Sequence, residues 1–188
     1  MKSRRRATFR LVFGILIVTV MIVAQAWAAN EKVLHTFTYG KEGANPVAPL
    51  IIDAAGNLYG TSRIGGPYNA GTVFELIPKS SGRWTERILY SFKWGADGAQ
   101  PQAALTLDSK GNLYGTAALG GGLGGSSCSG NGCGTVFKLT RGLKGKWTES
   151  VVYAFAGGAD GQYPVANLIA DDKGNLYGTT LEGEVSIF

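Results

Sequence analysis

The sequence predicts an all-β protein, a β-propeller-like array of four-stranded antiparallel blades with three units. Three observations carry that expectation. The hexapeptide Gly-Asn-Leu-Tyr-Gly-Thr occurs at residues 56–61, 111–116 and 174–179, each time three residues after an aspartate, Asp53, Asp108 or Asp171. The copies are spaced by 55 and then 63 residues, a period that marks a repeat architecture. Between them, apolar and polar residues alternate with period two and are rich in aromatic and β-branched types, the pattern of half-buried antiparallel strands.

Residues 1–28 read as a secretory signal peptide and stand outside the fold. Lys2, Arg4, Arg5, Arg6 and Arg10 form a basic start. Fourteen apolar residues, 11–24, follow, and Ala26-Trp27-Ala28 supplies the small residues of a cleavage site. The apolar stretch is short for a membrane span, so cleavage after Ala28 or one residue later is favoured over an uncleaved anchor. The arginines fit a twin-arginine signal poorly, given the Ala7-Thr8-Phe9 that follows. The protein is expected to be secreted, periplasmic or at the cell surface, with no membrane contact after cleavage.

The mature region, residues 29–188, reads as a single β-repeat domain. In its first unit, residues 47–92, the strands are expected at 47–53, 57–62, 71–77 and 83–92. Pro49 confines the first to a position that needs no ladder donor. Asp53 and Gly56 shape the turn into the second. The second unit, residues 102–155, repeats the order with strands at 102–108, 112–117, 134–140 and 146–155. The eight extra residues fall in the glycine-rich loop that carries both cysteines, where an array tolerates insertion. In the third strands Glu75 matches Lys138, so that position is expected to face water. The last unit, residues 165–188, offers strands at 165–171, 175–180 and 184–188 but no fourth. Residues 32–39 match the end of a fourth strand and are expected to close it. Closed propellers have four to eight blades, so an open array, an oligomer sharing a ring and a piece of a longer array all stand as alternatives.

Charge and cysteine content narrow the function classes. Of 18 Lys and Arg, five lie in the signal segment, which leaves thirteen against 13 Asp and Glu. The net charge of +5 therefore belongs to the export signal, and nucleic acid is not an expected partner. Cys128 and Cys133, the two cysteines of the chain, would meet an oxidising compartment and are expected to form a local disulfide. Two thiolates without a nearby histidine do not complete a zinc shell. No metal or cofactor is expected.

The recurring residues form a signature: Pro-x-x-x-Leu, Asp-x-x-Gly-Asn-Leu-Tyr-Gly-Thr, Gly-Thr-Val-Phe and Tyr-x-Phe-x-x-Gly-x-Asp-Gly. It resembles the GloVer-type extracellular tandem repeat of exported bacterial proteins and covers nearly all of the mature region. The resemblance implies a secreted or surface-attached protein of propeller-like repeats, without implying an activity. The signature departs at residues 184–188, where Gly-Thr-Val-Phe would be due.

No catalytic constellation is found. His35, the single histidine, matches Tyr90 and Tyr153 in the repeat and is read as structural. No Gly-x-Ser-x-Gly elbow accompanies it. Asp97 and Asp160 recur in Gly-Ala-Asp-Gly and are candidate ligand-binding carboxylates for calcium or a sugar hydroxyl. The competing reading is an Asp-Gly turn, and Asp-x-x-Gly-Asn offers too few oxygens for a calcium loop. The glycine run at 120–125 lacks the Lys-Ser/Thr of a phosphate cradle. Trp94 has no tryptophan in the matching copies, Tyr39 and Gly157, and is the third ligand-binding candidate. The expected function is a non-enzymatic binding or structural module, its partner an unknown glycan or surface protein, with self-association open. The alternative is a secreted carbohydrate-active enzyme using carboxylates on the blade loops.

Overall fold

The computed structural model describes residues 31–122, 128, 130–183 and 186–187; the expected signal peptide lies outside the described residues. Residues from Leu34 on form one compact unit. It is all-β, with three antiparallel sheets taken in chain order and no α-helix among the described residues. The first sheet runs β1 (Ile51–Ile52), β2 (Leu58–Ser62), β3 (Thr72–Pro78), β4 (Trp84–Ser91). The second holds β5 (Ala99–Pro101) and β6 (Thr106–Leu107), both against β7 (Leu113–Leu119), then β8 (Thr135–Arg141) and β9 (Trp147–Ala154). The third is β10 (Ile169–Ala170), β11 (Leu176–Gly178), β12 (Ser186–Ile187).

The register repeats between units. Gly60 pairs with Phe74 and Gly115 with Phe137. The glycines are required by packing, since a Cβ on Gly60 would stand 2.5 Å from Phe74 Cζ and one on Gly115 2.6 Å from Phe137 Cζ. Each third strand meets the fourth through a bulge. Val73 pairs with Tyr90 and Phe74 with Ile88, leaving Leu89 without a ladder partner, and Val136, Phe137 and Val152 repeat this. The strict alternation expected along residues 83–92 is therefore interrupted.

Successive sheets are tied by the motif threonine. Thr61 Oγ1 donates to Ala103 O at 3.2 Å and Thr116 Oγ1 to Ala166 O at 3.4 Å. The apolar core lies between the sheets, where Phe92 meets Phe137 at 5.1 Å between ring centroids. A second cluster joins Phe155 to Leu168 and Leu176.

Three expectations need correction. The first strands are short: β1 is two residues, because 47–50 precede it with Pro49 and leave Val47 and Leu50 exposed. Residues 31–38 form no strand and do not close the last unit. Phe37 instead packs on Phe74 with centroids 4.9 Å apart, so this segment does for the first sheet what Phe92, just after β4, does for the second. Finally, Glu75 does not face water. It is 2 % exposed, and its partner Tyr59 has its ring 6.5 Å from that of Trp147 in the next sheet. Arg87 pairs with Glu75 Oε2, and the Tyr59 hydroxyl lies 2.9 Å from Oε1, its single proton shared between Glu75 and Asp53. Its counterpart Lys138 is half-buried over the Tyr114 ring, 5.3 Å from the centroid.

Candidate functional site

The three repeated aspartates are built alike. Asp53 Oδ1 accepts from the backbone N–H of Ala55 and of Asn57, both at 2.9 Å, and Oδ2 accepts from Asn57 Nδ2 and the Tyr59 hydroxyl, also at 2.9 Å. Asp108 with Asn112 and Tyr114, and Asp171 with Asn175 and Tyr177, repeat the set. Burial pushes the Asp53 and Asp108 carboxyls up. The bonds from Asn57 and Asn112 and their neighbours outweigh it and leave both below the ordinary value. In Asp171 the bond from Asn175 leads and acts in the same direction. These side chains staple the turn that starts each second strand.

Asp97 and Asp160 hold a second turn. Asp97 Oδ2 accepts from the Tyr90 hydroxyl at 2.8 Å and from Lys93 N at 3.0 Å, and Oδ1 from Gly95 N at 3.2 Å. Asp160 accepts from Ala156 N at 2.7 Å and from the Tyr153 hydroxyl. Burial, then the bond to Asp97, raises the Tyr90 hydroxyl well above the usual phenol range. Both aspartates thus have their acceptor positions engaged within their own repeat.

Trp94 is placed differently. It is 42 % exposed, in the left-handed region at φ 63°, a costly conformation for a bulky side chain. It lines a cleft of about 490 Å³ whose other walls include Ala96, Gly120, Gly122, Asn131 and Gly132. That volume falls within the range of small-ligand sites. The far wall belongs to the loop in which a disulfide joins Cys128 to Cys133, with Cα atoms 5.2 Å apart.

Trp94 also has company that the sequence did not disclose. Its Nε1 donates to Asn69 O at 3.3 Å, and the Tyr39 hydroxyl donates to Asn69 Oδ1 at 3.1 Å. Tyr39 shares the left-handed backbone, at φ 65°, and is 58 % exposed; Tyr68, beside Asn69, is 54 % exposed. Three aromatics from three separate segments gather at one loop. The available signal was the repeat register, which sets Tyr39 opposite Trp94.

A second cleft, about 460 Å³, opens between the second and third sheets, lined by Asp108, Lys110, Tyr114, Lys138, Asp171 and Lys173 among others. Its two motif aspartates are the turn staples described above.

A buried acidic group recurs where one repeat meets the next. Glu149 on β9 faces Tyr90 and Asp97 from the preceding unit; burial, then the Asp97 charge, pushes its carboxyl up to about 7. The equivalent place on the first sheet holds Glu86 with His35 and Glu42. Burial, then the Glu42 charge, pushes Glu86 up to about 7 as well. Glu42 and Glu86 were not singled out in the sequence, although the repeat register places them opposite Asp97 and Glu149.

No curated protein matches the chain. The family model of the Gloeobacter/Verrucomicrobia repeat matches residues 19–187, which take in all three sheets and every copy of the Asp-x-x-Gly-Asn-Leu-Tyr-Gly-Thr motif, and the chain belongs to that repeat family.

Proposed function

We propose that this repeat protein is an exported, non-catalytic binding module whose sheets are propeller-like blades and whose ligand is a glycan held beside Trp94. The observation that carries the reading is the rim at Asn69. Tyr39, Tyr68 and Trp94 are exposed there, Tyr39 and Trp94 in strained backbone conformations and hydrogen-bonded to the same residue, and Trp94 also lines a 490 Å³ cleft. Flat aromatic faces with fixed orientation suit the apolar faces of sugar rings, and their polar tips suit hydroxyls. The competing hydrolase needs two carboxylates free to act across a cleft. Asp53, Asp97, Asp108, Asp160 and Asp171 instead accept backbone and side-chain bonds inside their own turns.

The test is a tryptophan-fluorescence titration of the full chain with a panel of neutral and acidic oligosaccharides. At least one should bind, and Trp94→Ala should lower its affinity about tenfold or more, as loss of an anchoring aromatic does. Absence of binding across the panel, or an unchanged affinity in Trp94→Ala, rejects the reading. Fractionation of producing cells tests the export half, since a product retained in the cytoplasm contradicts it.

A further inference from the structure

We propose that His35, Glu42 and Glu86 form a divalent transition-metal site, with zinc the best-suited ion, at the junction between the N-terminal segment and the first sheet. The three side chains each offer one ligand atom, and those atoms lie within 4.8 Å of one another. Imidazole nitrogen with carboxylate oxygens is a donor set that zinc accepts, with three protein ligands leaving a fourth position open.

The site is built as well as clustered. The Glu86 side chain is only 7 % exposed, and its Oε1 has no hydrogen-bond partner. His35 Nε2 is also buried without a partner: its approach to Glu86 Oε2, at 3.6 Å, is too long for a hydrogen bond. Buried polar atoms of this kind need a partner or they cost stability. Glu42 reaches the cluster from a turn, with its Oε2 accepting from Thr38 Oγ1 at 2.8 Å and its backbone carbonyl from Thr72 Oγ1 at 3.3 Å. One cation would satisfy the two orphaned atoms and offset the repulsion between the two carboxylates.

The repeat supplies an internal control. In the next junction the same three places hold Tyr90, Asp97 and Glu149, and there the Tyr90 hydroxyl donates to Asp97 at 2.8 Å. A phenol O–H approaches both carboxylates without a metal, and although Glu149 Oε1 lacks a partner there as Glu86 Oε1 does here, the orphaned ring nitrogen of His35 is particular to the first junction. Replacing it by an imidazole changes the central group from a donor to a metal ligand. Ligands about 2.0–2.1 Å from zinc sit about 3.3 Å apart, so from separations of up to 4.8 Å the three side chains must close by up to about 1.5 Å, a rotamer adjustment open to the half-buried Glu42. The glycan reading above plays no part in this inference.

The experiment is a zinc titration by calorimetry on the untagged full chain after chelator treatment, paired with thermal melts in zinc, calcium or magnesium. One zinc per chain should bind, and zinc should raise the melting temperature while calcium and magnesium do not. His35→Tyr restores the residue found in the other repeats, so it should fold with an unchanged metal-free melting temperature and lose zinc affinity at least about 100-fold, more than loss of an outer-shell partner costs. Glu86→Gln should also weaken zinc binding. The proposal is overturned if the wild-type chain takes up no zinc, if His35→Tyr binds zinc like the wild type, or if calcium stabilises as well as zinc does.

Discussion

Tyrosine hydroxyls in one motif do unequal work, and that difference is measurable. Tyr59 is 3 % exposed, and its hydroxyl lies 2.9 Å from both Asp53 Oδ2 and Glu75 Oε1. Tyr114 occupies the same motif position, half-buried, with one long bond of 3.3 Å to Asp108. Tyr59→Phe strips a donor from a buried carboxylate and should cost about 2 kcal/mol of stability, whereas Tyr114→Phe should cost about 0.5 kcal/mol. Urea unfolding of the two variants checks this, and equal losses would mean that burial of Glu75 is not what makes Tyr59 matter. The aspartate staples themselves were legible in the sequence because an Asx turn is local: Asp53, Asn57 and Tyr59 reach one another within six residues. The burial of Glu75 was not, because its partners Tyr59 and Arg87 reach it from the two neighbouring strands and not from its own alternation.

Strand pairs show the same divide between local and distant causes. The alternation located β2, β3, β8 and β9 to within a residue or two, since period-two patterning is a property of the strand itself. It did not show the bulges at Leu89 and Val152, which are set by the partner strand, nor the short β1. The pairing of Gly60 with Phe74 carries a prediction at this scale. Gly60→Ala puts a methyl 2.5 Å from Phe74 Cζ and 2.6 Å from Leu50 Cδ2, and overpacking of this kind costs about 1–3 kcal/mol. Phe74→Leu removes the ring that obstructs it. The double variant should therefore be less destabilised than the two single losses added together, a coupling of about 1 kcal/mol in a double-mutant cycle. Additive losses would place the origin of the glycine elsewhere than in this contact.

For the molecule as a whole, the units were readable as a repeat, but their junctions were not, and the junctions hold both the aromatic rim and the buried acids. The rim joins Trp94 and Tyr39 to Asn69, 25 and 30 positions away, and the acids bring Glu149 to Asp97, in the preceding unit. The acids make adhesion between sheets sensitive to pH. Glu149 carries a carboxyl raised from 4.5 to about 7, first by burial and then by the charge of Asp97; Tyr90 and Lys93 also face it and act in the opposite sense. An acid whose folded pKa is raised binds its proton more tightly in the folded state. Its contribution to stability is complete below about 4.5 and is lost as pH rises through about 7. Glu86, raised to about 7 in the first junction, acts in the same sense. The lowered Asp53, Asp108 and Asp171 act oppositely, adding stability above 3.8 that is lost only in stronger acid. In chelator-containing buffer the melting temperature should therefore fall between pH 5 and pH 7.5. Glu149→Gln keeps the shape without the titration, so it should narrow that fall and leave the remainder to Glu86. Melts that are flat or rising over this interval in the wild type, or an unchanged slope in Glu149→Gln, would remove the buried acids as the cause, and with them the idea that protonation at the junctions helps hold one sheet against the next.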